Sequence, residues 1–171
     1  MSRPRILVAG VGNVFFGDDA FGVEVVRRLA SVKFPDGVKV VDFGIRGMHL
    51  AYEIAAGYDL VIFVDAVGGR GGGPGTVYVI EPELGQPSGR VPDAHGMELE
   101  NVFAFVRQLG GSDAAFFIVG CEPADAREGM GLSPAVEAAI PMAAAAVENL
   151  VRKHAQRIAA GAPAAVTEAI V

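Results

Sequence analysis

The sequence predicts a three-layer α/β/α domain built on a mostly parallel five-stranded sheet, with one antiparallel edge strand and helices on both faces. Three observations carry this prediction. Short apolar runs alternate with helical stripes of 3.6-residue period, the pattern of successive βαβ units. The run Leu60-Val-Ile-Phe-Val64 is apolar throughout, as a strand buried on both faces of a parallel sheet must be. The glycine-rich link from Gly68 to Gly75 is too short for the crossover that parallel neighbours require, so the strand after it is expected antiparallel and at an edge.

Taken in order, Arg5 to Gly10 is the first strand, broken by Gly10-Val-Gly12-Asn13. Gly22, Val25, Val26 and Leu29 fall at i, i+3, i+4 and i+7, so a helix from about Asp18 lays an apolar stripe on the sheet. A glycine inside that stripe predicts close helix-to-strand packing. Val38 to Phe43 is the second strand, and a short helix through Leu50 and Ile54 leads into the third, which ends on Asp65. Gly75 to Glu81, rich in β-branched residues, is the edge strand. The Pro, Gly and Ser content of the segment from Glu83 to Ala94 predicts a loop that delivers His95 just ahead of a helix, whose stripe is Leu99, Val102, Phe103 and Val106. Ala114 to Gly120 is the last strand. Ser133 as N-cap and Pro134 at the first helical position open a helix with Val136, Ile140, Ala143, Ala144, Val147 and Val151 on its buried stripe, and Pro141 inside it is expected to kink it.

The chain of 171 residues, 51% hydrophobic, is long enough for one substantial core. A single domain over 1–158 is expected, with 159–171 as a mobile tail that lacks a stripe to dock. The net charge of −6 opposes a broad phosphate-backbone footprint, which argues against nucleic acid as a partner. One cysteine excludes an internal disulfide framework and fits a reducing compartment; with no apolar run near the N-terminus long enough for a signal or a span, a cytoplasmic protein without a membrane partner is expected.

In open α/β sheets, ligands bind at the carboxyl ends of the strands. Asp19 follows the first strand by a turn and Asp65 ends the third, so a central first strand makes them face one crevice, within reach of His95. Two carboxylates and an imidazole suit a borderline divalent ion such as zinc or nickel. The same residues also read as a helix-terminal charge, a turn-former and a solvated histidine. Arg46, between glycines at a strand end, is placed to clamp a carboxylate. Cys121 reads as a packed thiol, and His49 and His154 as ordinary, partly exposed histidines.

The segments Ile6-Leu-Val-Ala-Gly10-Val-Gly12-Asn13, Asp18-Asp19-x-x-Gly22-Val23, Asp42-x-Gly44-x-x-Gly47, Asp65-Ala66, Pro74-Gly75-Thr76, His95 and Val119-Gly120 together resemble the NiFe hydrogenase maturation endopeptidases over about Arg5 to Lys153. The resemblance implies a metal-dependent endopeptidase that removes the C-terminal extension of a hydrogenase large-subunit precursor after nickel insertion, acting as a monomer. It implies Asp19, Asp65 and His95 as the catalytic and metal-contacting residues, with nickel arriving on the substrate and zinc or another divalent ion able to bind in vitro. It further implies Asp42, Gly44, Arg46 and Gly47 as substrate-binding residues. The family's Asp-Gly-Gly-Thr-x-Gly turn reads Asp42-Phe43-Gly44-Ile45-Arg46-Gly47 here, and its usual first-ligand Glu is Asp19. Alternatives are a hydrolase of related architecture such as a peptidyl-tRNA hydrolase, which the acidic charge and the lack of a histidine soon after Asn13 oppose, and a metal-binding module without catalysis.

Overall fold

The computed structural model describes residues 3–82 and 94–162, the side chains of 94–98 excepted. Its strands are β1 (Ile6–Val11), β2 (Val38–Gly44), β3 (Leu60–Ala66), β4 (Val77–Ile80) and β5 (Ala115–Cys121). Its helices are α1 (Phe21–Leu29), α2 (Gly47–Ala55), α3 (Ala94–Gln108) and α4 (Pro134–Ala159). The strands lie in the order β2-β1-β3-β5-β4, so β1 and β3 are interior neighbours. Only β4 runs antiparallel, pairing with β5 at the edge. The fold class read from the sequence is therefore the observed one.

Side-chain alternation along each strand divides the core in two. Ile6, Val8, Leu60, Ile62, Val64 and Phe117 face α1 and α4. Leu7, Ala9, Val61, Phe63 and Phe116 face α2 and α3. On the second face Phe103 meets the rings of Phe63 and Phe116 edge-on at centroid distances of 5.4 and 5.3 Å, an arrangement that matches the positive ring edge to the negative ring face. Every residue of β1 and β3 is buried, which is why neither run alternates with polar residues.

Two local readings change. The helix expected from about Asp18 begins as a 3-10 turn over Gly17–Ala20, and α1 proper starts at Phe21. His154 is not partly exposed: it is buried on α4 and packs 5.1 Å from the Phe117 ring, because the α4 stripe runs one turn further than Val151. Pro141 lies within an unbroken α4 on its exposed side, where water can satisfy the carbonyl that proline leaves without an amide donor. The helix is long and apolar enough to cross a membrane by composition, yet Val136, Ala143, Val147 and Val151 are among the residues it buries in the core. Of the expected tail, residues 163–171 lie outside those described.

Candidate active site

The crevice at the carboxyl ends of β1 and β3 is shaped first by glycine. Gly12, just past β1, has φ +139, and a Cβ there would sit 1.9 Å from the Asp19 carbonyl oxygen. No other residue lets the chain fold back so tightly over the strand end. Gly22 is held against the sheet: its Cβ would lie 2.0 Å from the Val64 carbonyl oxygen and 2.4 Å from that of Val11. The first turn of α1 thus rests directly on the ends of β1 and β3, one residue before Asp65, while the 3-10 turn that carries Asp19 packs against β3.

Asp18 and Asp19 diverge sharply. Asp18 is fully buried, and its carboxylate accepts the backbone N–H of Ala124 at 2.8 Å, of Asp125 at 2.9 Å and of Ser133 at 2.6 Å, as well as the Ser133 hydroxyl at 2.9 Å. Burial alone pushes its pKa up, but the donors from Ser133, Asp125 and Ala124 outweigh it and hold the carboxyl below the ordinary range. Ser133 stands at the N-cap position of α4 as expected, yet its hydroxyl is given to Asp18 rather than to the helix. The loop after β5 is also zipped to the loop after β1 through Gly17 N–H to Gly129 O and Gly129 N–H to Phe15 O, each 2.8 Å.

Asp19 points the other way. Its Oδ2 accepts the Asn13 N–H at 3.0 Å, and its Oδ1 is buried. Asp65 is 1% exposed, with Oδ1 accepting the Ala66 N–H at 2.8 Å and Oδ2 buried. The structure therefore brings Asp19 and Asp65 to one edge, on neighbouring elements, as the central position of β1 required. His95 lies in the first turn of α3 rather than on the loop before it; its side chain is outside those described. Among the described side chains no three acids, histidines or cysteines are grouped to hold an ion. Two buried carboxylates, each with one oxygen engaged by a backbone N–H, nonetheless offer oxygen donors of the kind that suits a divalent cation.

Asp42, Gly44, Arg46 and Gly47 surround the turn from β2 into α2. Gly44 has φ +53, and its carbonyl accepts the Gly12 N–H at 3.0 Å, tying this turn to the one beneath Asp19. Asp42 is partly exposed and 4.0 Å from the Arg27 guanidinium. Arg46 donates Nε–H to the Phe43 carbonyl at 3.0 Å and Nη2–H to the Asp42 carbonyl, so much of its guanidinium braces its own turn.

Cys121 is a buried thiol, as read from sequence, pushed up to about 11 by burial and by the nearby Asp18 charge, and so is no nucleophile. Sequence reasoning missed Glu122. Its carboxylate accepts the Tyr78 hydroxyl at 2.7 Å and the N–H groups of Gly71 and Gly72 at 3.3 and 3.2 Å, pinning the glycine run that follows Asp65. The hydroxyl bond from Tyr78 holds its pKa below the usual value. A carboxylate just past a strand end, opposite a glycine run, was the available signal.

Comparison with known proteins shows the family. The HycI hydrogenase maturation protease family model matches residues 23–150, which include Asp65 and His95 and stop short of Asp19. The Hydrogenase 2 maturation protease of Escherichia coli is 33% identical over 144 residues, covering 80% of this chain and 84% of that protein. A hydrogenase maturation protease assigned from Methanocaldococcus jannaschii is 34% identical over 71% of this chain and 78% of that protein. Among solved structures, the hydrogenase maturating endopeptidase HybD from E. coli superposes with a TM-score of 0.75 at 32% identity, covering 87% of this chain and 93% of that one. The NiFe hydrogenase maturation protease HycI from Thermococcus kodakarensis KOD1 gives 0.72 at 28% identity, covering 86% and 92%. Fold and relatives together define a hydrolase of the peptidase class. The chain belongs to the hydrogenase maturation protease family.

Proposed function

We propose that this chain is the endopeptidase that cuts the C-terminal extension from a NiFe hydrogenase large-subunit precursor once nickel has been inserted, with Asp19, Asp65 and His95 contacting the metal. The observation that carries this reading is the placement of two buried carboxylates at one edge of the sheet, Asp19 on the 3-10 turn that packs against β3 and Asp65 near the end of β3. Carboxylate oxygens completed by an imidazole make a donor set that suits a borderline divalent ion, and a nickel ion on the incoming substrate is such an ion. A divalent ion with open positions polarises a carbonyl or acidifies bound water. The protein's own part is to present oxygen ligands already fixed by the Asn13 and Ala66 N–H groups, so that little reorganisation is left for the moment of contact. A carboxylate so held can also take the proton released by the attacking water.

The net charge of −6 supports a protein partner rather than nucleic acid, and a single buried thiol is in keeping with a reducing cytoplasm. We take the working unit to be a monomer, since the proposed ligands come from one chain.

The test is cleavage of nickel-loaded and nickel-free precursor, followed by mass spectrometry of the released peptide. Release from the loaded form only, abolished in Asp65→Asn with the fold intact, is the expected result. Near wild-type processing by both Asp65→Asn and His95→Ala would sink the metal reading and leave these residues with cap and turn roles.

A further inference from the structure

A cavity of about 170 Å³ opens beside the acid pair, between the end of β1, the β2–α2 turn and α3. Its walls are the side chains of Val11, Phe43, Met48, Val102 and Phe105, with Ile45 at the mouth. Among the described residues, polar side chains enter only as Asn101 and Arg46, and the Nε and Nη2 of Arg46 already serve the Phe43 and Asp42 carbonyls. An apolar space of roughly 150 Å³ holds one benzene-sized group, whereas pockets for whole cofactors run to about 300 Å³ or more. The size fits one side chain.

The cavity adjoins the candidate site through the backbone. Val11 forms its wall, the next residue is the glycine on which Asp19 folds, and Gly44 of the turn accepts the N–H of that glycine at 3.0 Å. Ile45 and Met48 are 66% and 52% exposed at the mouth, and large apolar groups held in water by a braced turn are gained back only when something apolar covers them. Methionine adapts its shape to such an occupant.

We infer that this cavity is a specificity subsite that receives a single apolar side chain, of leucine, methionine or phenylalanine size, from the substrate segment flanking the bond that is cut. The inference rests on the function proposed above. The turn then selects its precursor by hydrophobic fit, and the role of Arg46 is to hold the walls in place.

The experiment uses the full chain and nickel-loaded precursor in which each residue flanking the scissile bond is changed in turn to Asp and to Leu. Wild-type enzyme should lose about 30-fold in kcat/KM, mainly through KM, when one particular flanking apolar residue becomes Asp, and should tolerate Leu there. Ile45→Asp and Met48→Asp, both surface changes, should each raise KM for unaltered precursor about tenfold. Phe105→Ala, which enlarges the space, should shift preference at that same position toward a bulkier residue. A melting rise on adding divalent ion, unchanged in Ile45→Asp, shows that the acid pair is intact in the variant. If KM is unmoved in all three variants, or if Asp is accepted at every flanking position, the subsite is refuted while the protease reading stands. If wild-type enzyme cleaves no loaded precursor, the function itself fails and the subsite falls with it.

Discussion

Asp18 accepts four hydrogen bonds from Ala124, Asp125 and Ser133, and an asparagine in its place offers a single acceptor oxygen to those donors. Asp18→Asn is therefore expected to cost about 3 kcal/mol at neutral pH, since bonds to a charged acceptor are worth about 1.5–3 kcal/mol and stranded buried donors add to the loss. The sign of its pH dependence follows from a folded pKa held below the ordinary value of 3.8. The contribution is complete above 3.8 and is lost as pH falls through the lower folded value, so the gap between wild type and Asp18→Asn in urea titrations should be constant at neutral pH and close only in acid. A gap that closes above pH 5 would show that another group governs this loop. Asp19 calls for a different measurement. Asp19→Glu keeps a carboxylate and should retain substantial processing, Asp19→Ala should retain almost none, and both should melt close to wild type.

Among the elements, α1 rests on its sheet through Gly22, where a Cβ would fall 2.0 Å from the Val64 carbonyl oxygen. Backbone cannot yield as a side chain does, so Gly22→Ala should push α1 away and cost about 3 kcal/mol, read as a lowered melting temperature together with lost processing. The β2–α2 turn offers a milder test. Arg46→Ala removes the bonds to the Phe43 and Asp42 carbonyls and should raise KM with a stability loss of about 1 kcal/mol; a change in kcat alone would place Arg46 in the chemistry instead. Gly22 was legible in the sequence, because a helix gives up a core-facing side chain in its apolar stripe chiefly where backbone must come close. The antiparallel edge strand was legible too, from the shortness of the link before it. Asp18 was not, since its donors lie 106 to 115 residues further along and nothing local separates it from a helix-terminal charge. The cavity was equally hidden, for its walls come from β1, β2, α2 and α3, and only the packed fold shows that Phe105 and Met48 share a space. His154 escaped notice because it extends the α4 stripe one turn past Val151 with a side chain that carries polar nitrogens, so periodicity in apolar residues alone stops short of it.

For the molecule as a whole, the buried edge that carries Asp19 and Asp65 is the candidate place for a divalent ion. A divalent ion that binds the folded form alone should stabilise it by mass action, by about 2.7 kcal/mol at a hundred times its dissociation constant. Differential scanning calorimetry with zinc or nickel should show that rise in wild type and not in Asp65→Asn. The Asp18 clamp bears on the protein's synthesis as well. The acid that braces the edge leaves the ribosome early, but its last donor, Ser133, follows 115 residues later, a delay on the order of ten seconds at ordinary elongation rates. Throughout that interval β1, β2 and β3 can pair while the edge they share has no lock. Closing this edge is therefore a late step of folding, one that waits for the start of α4.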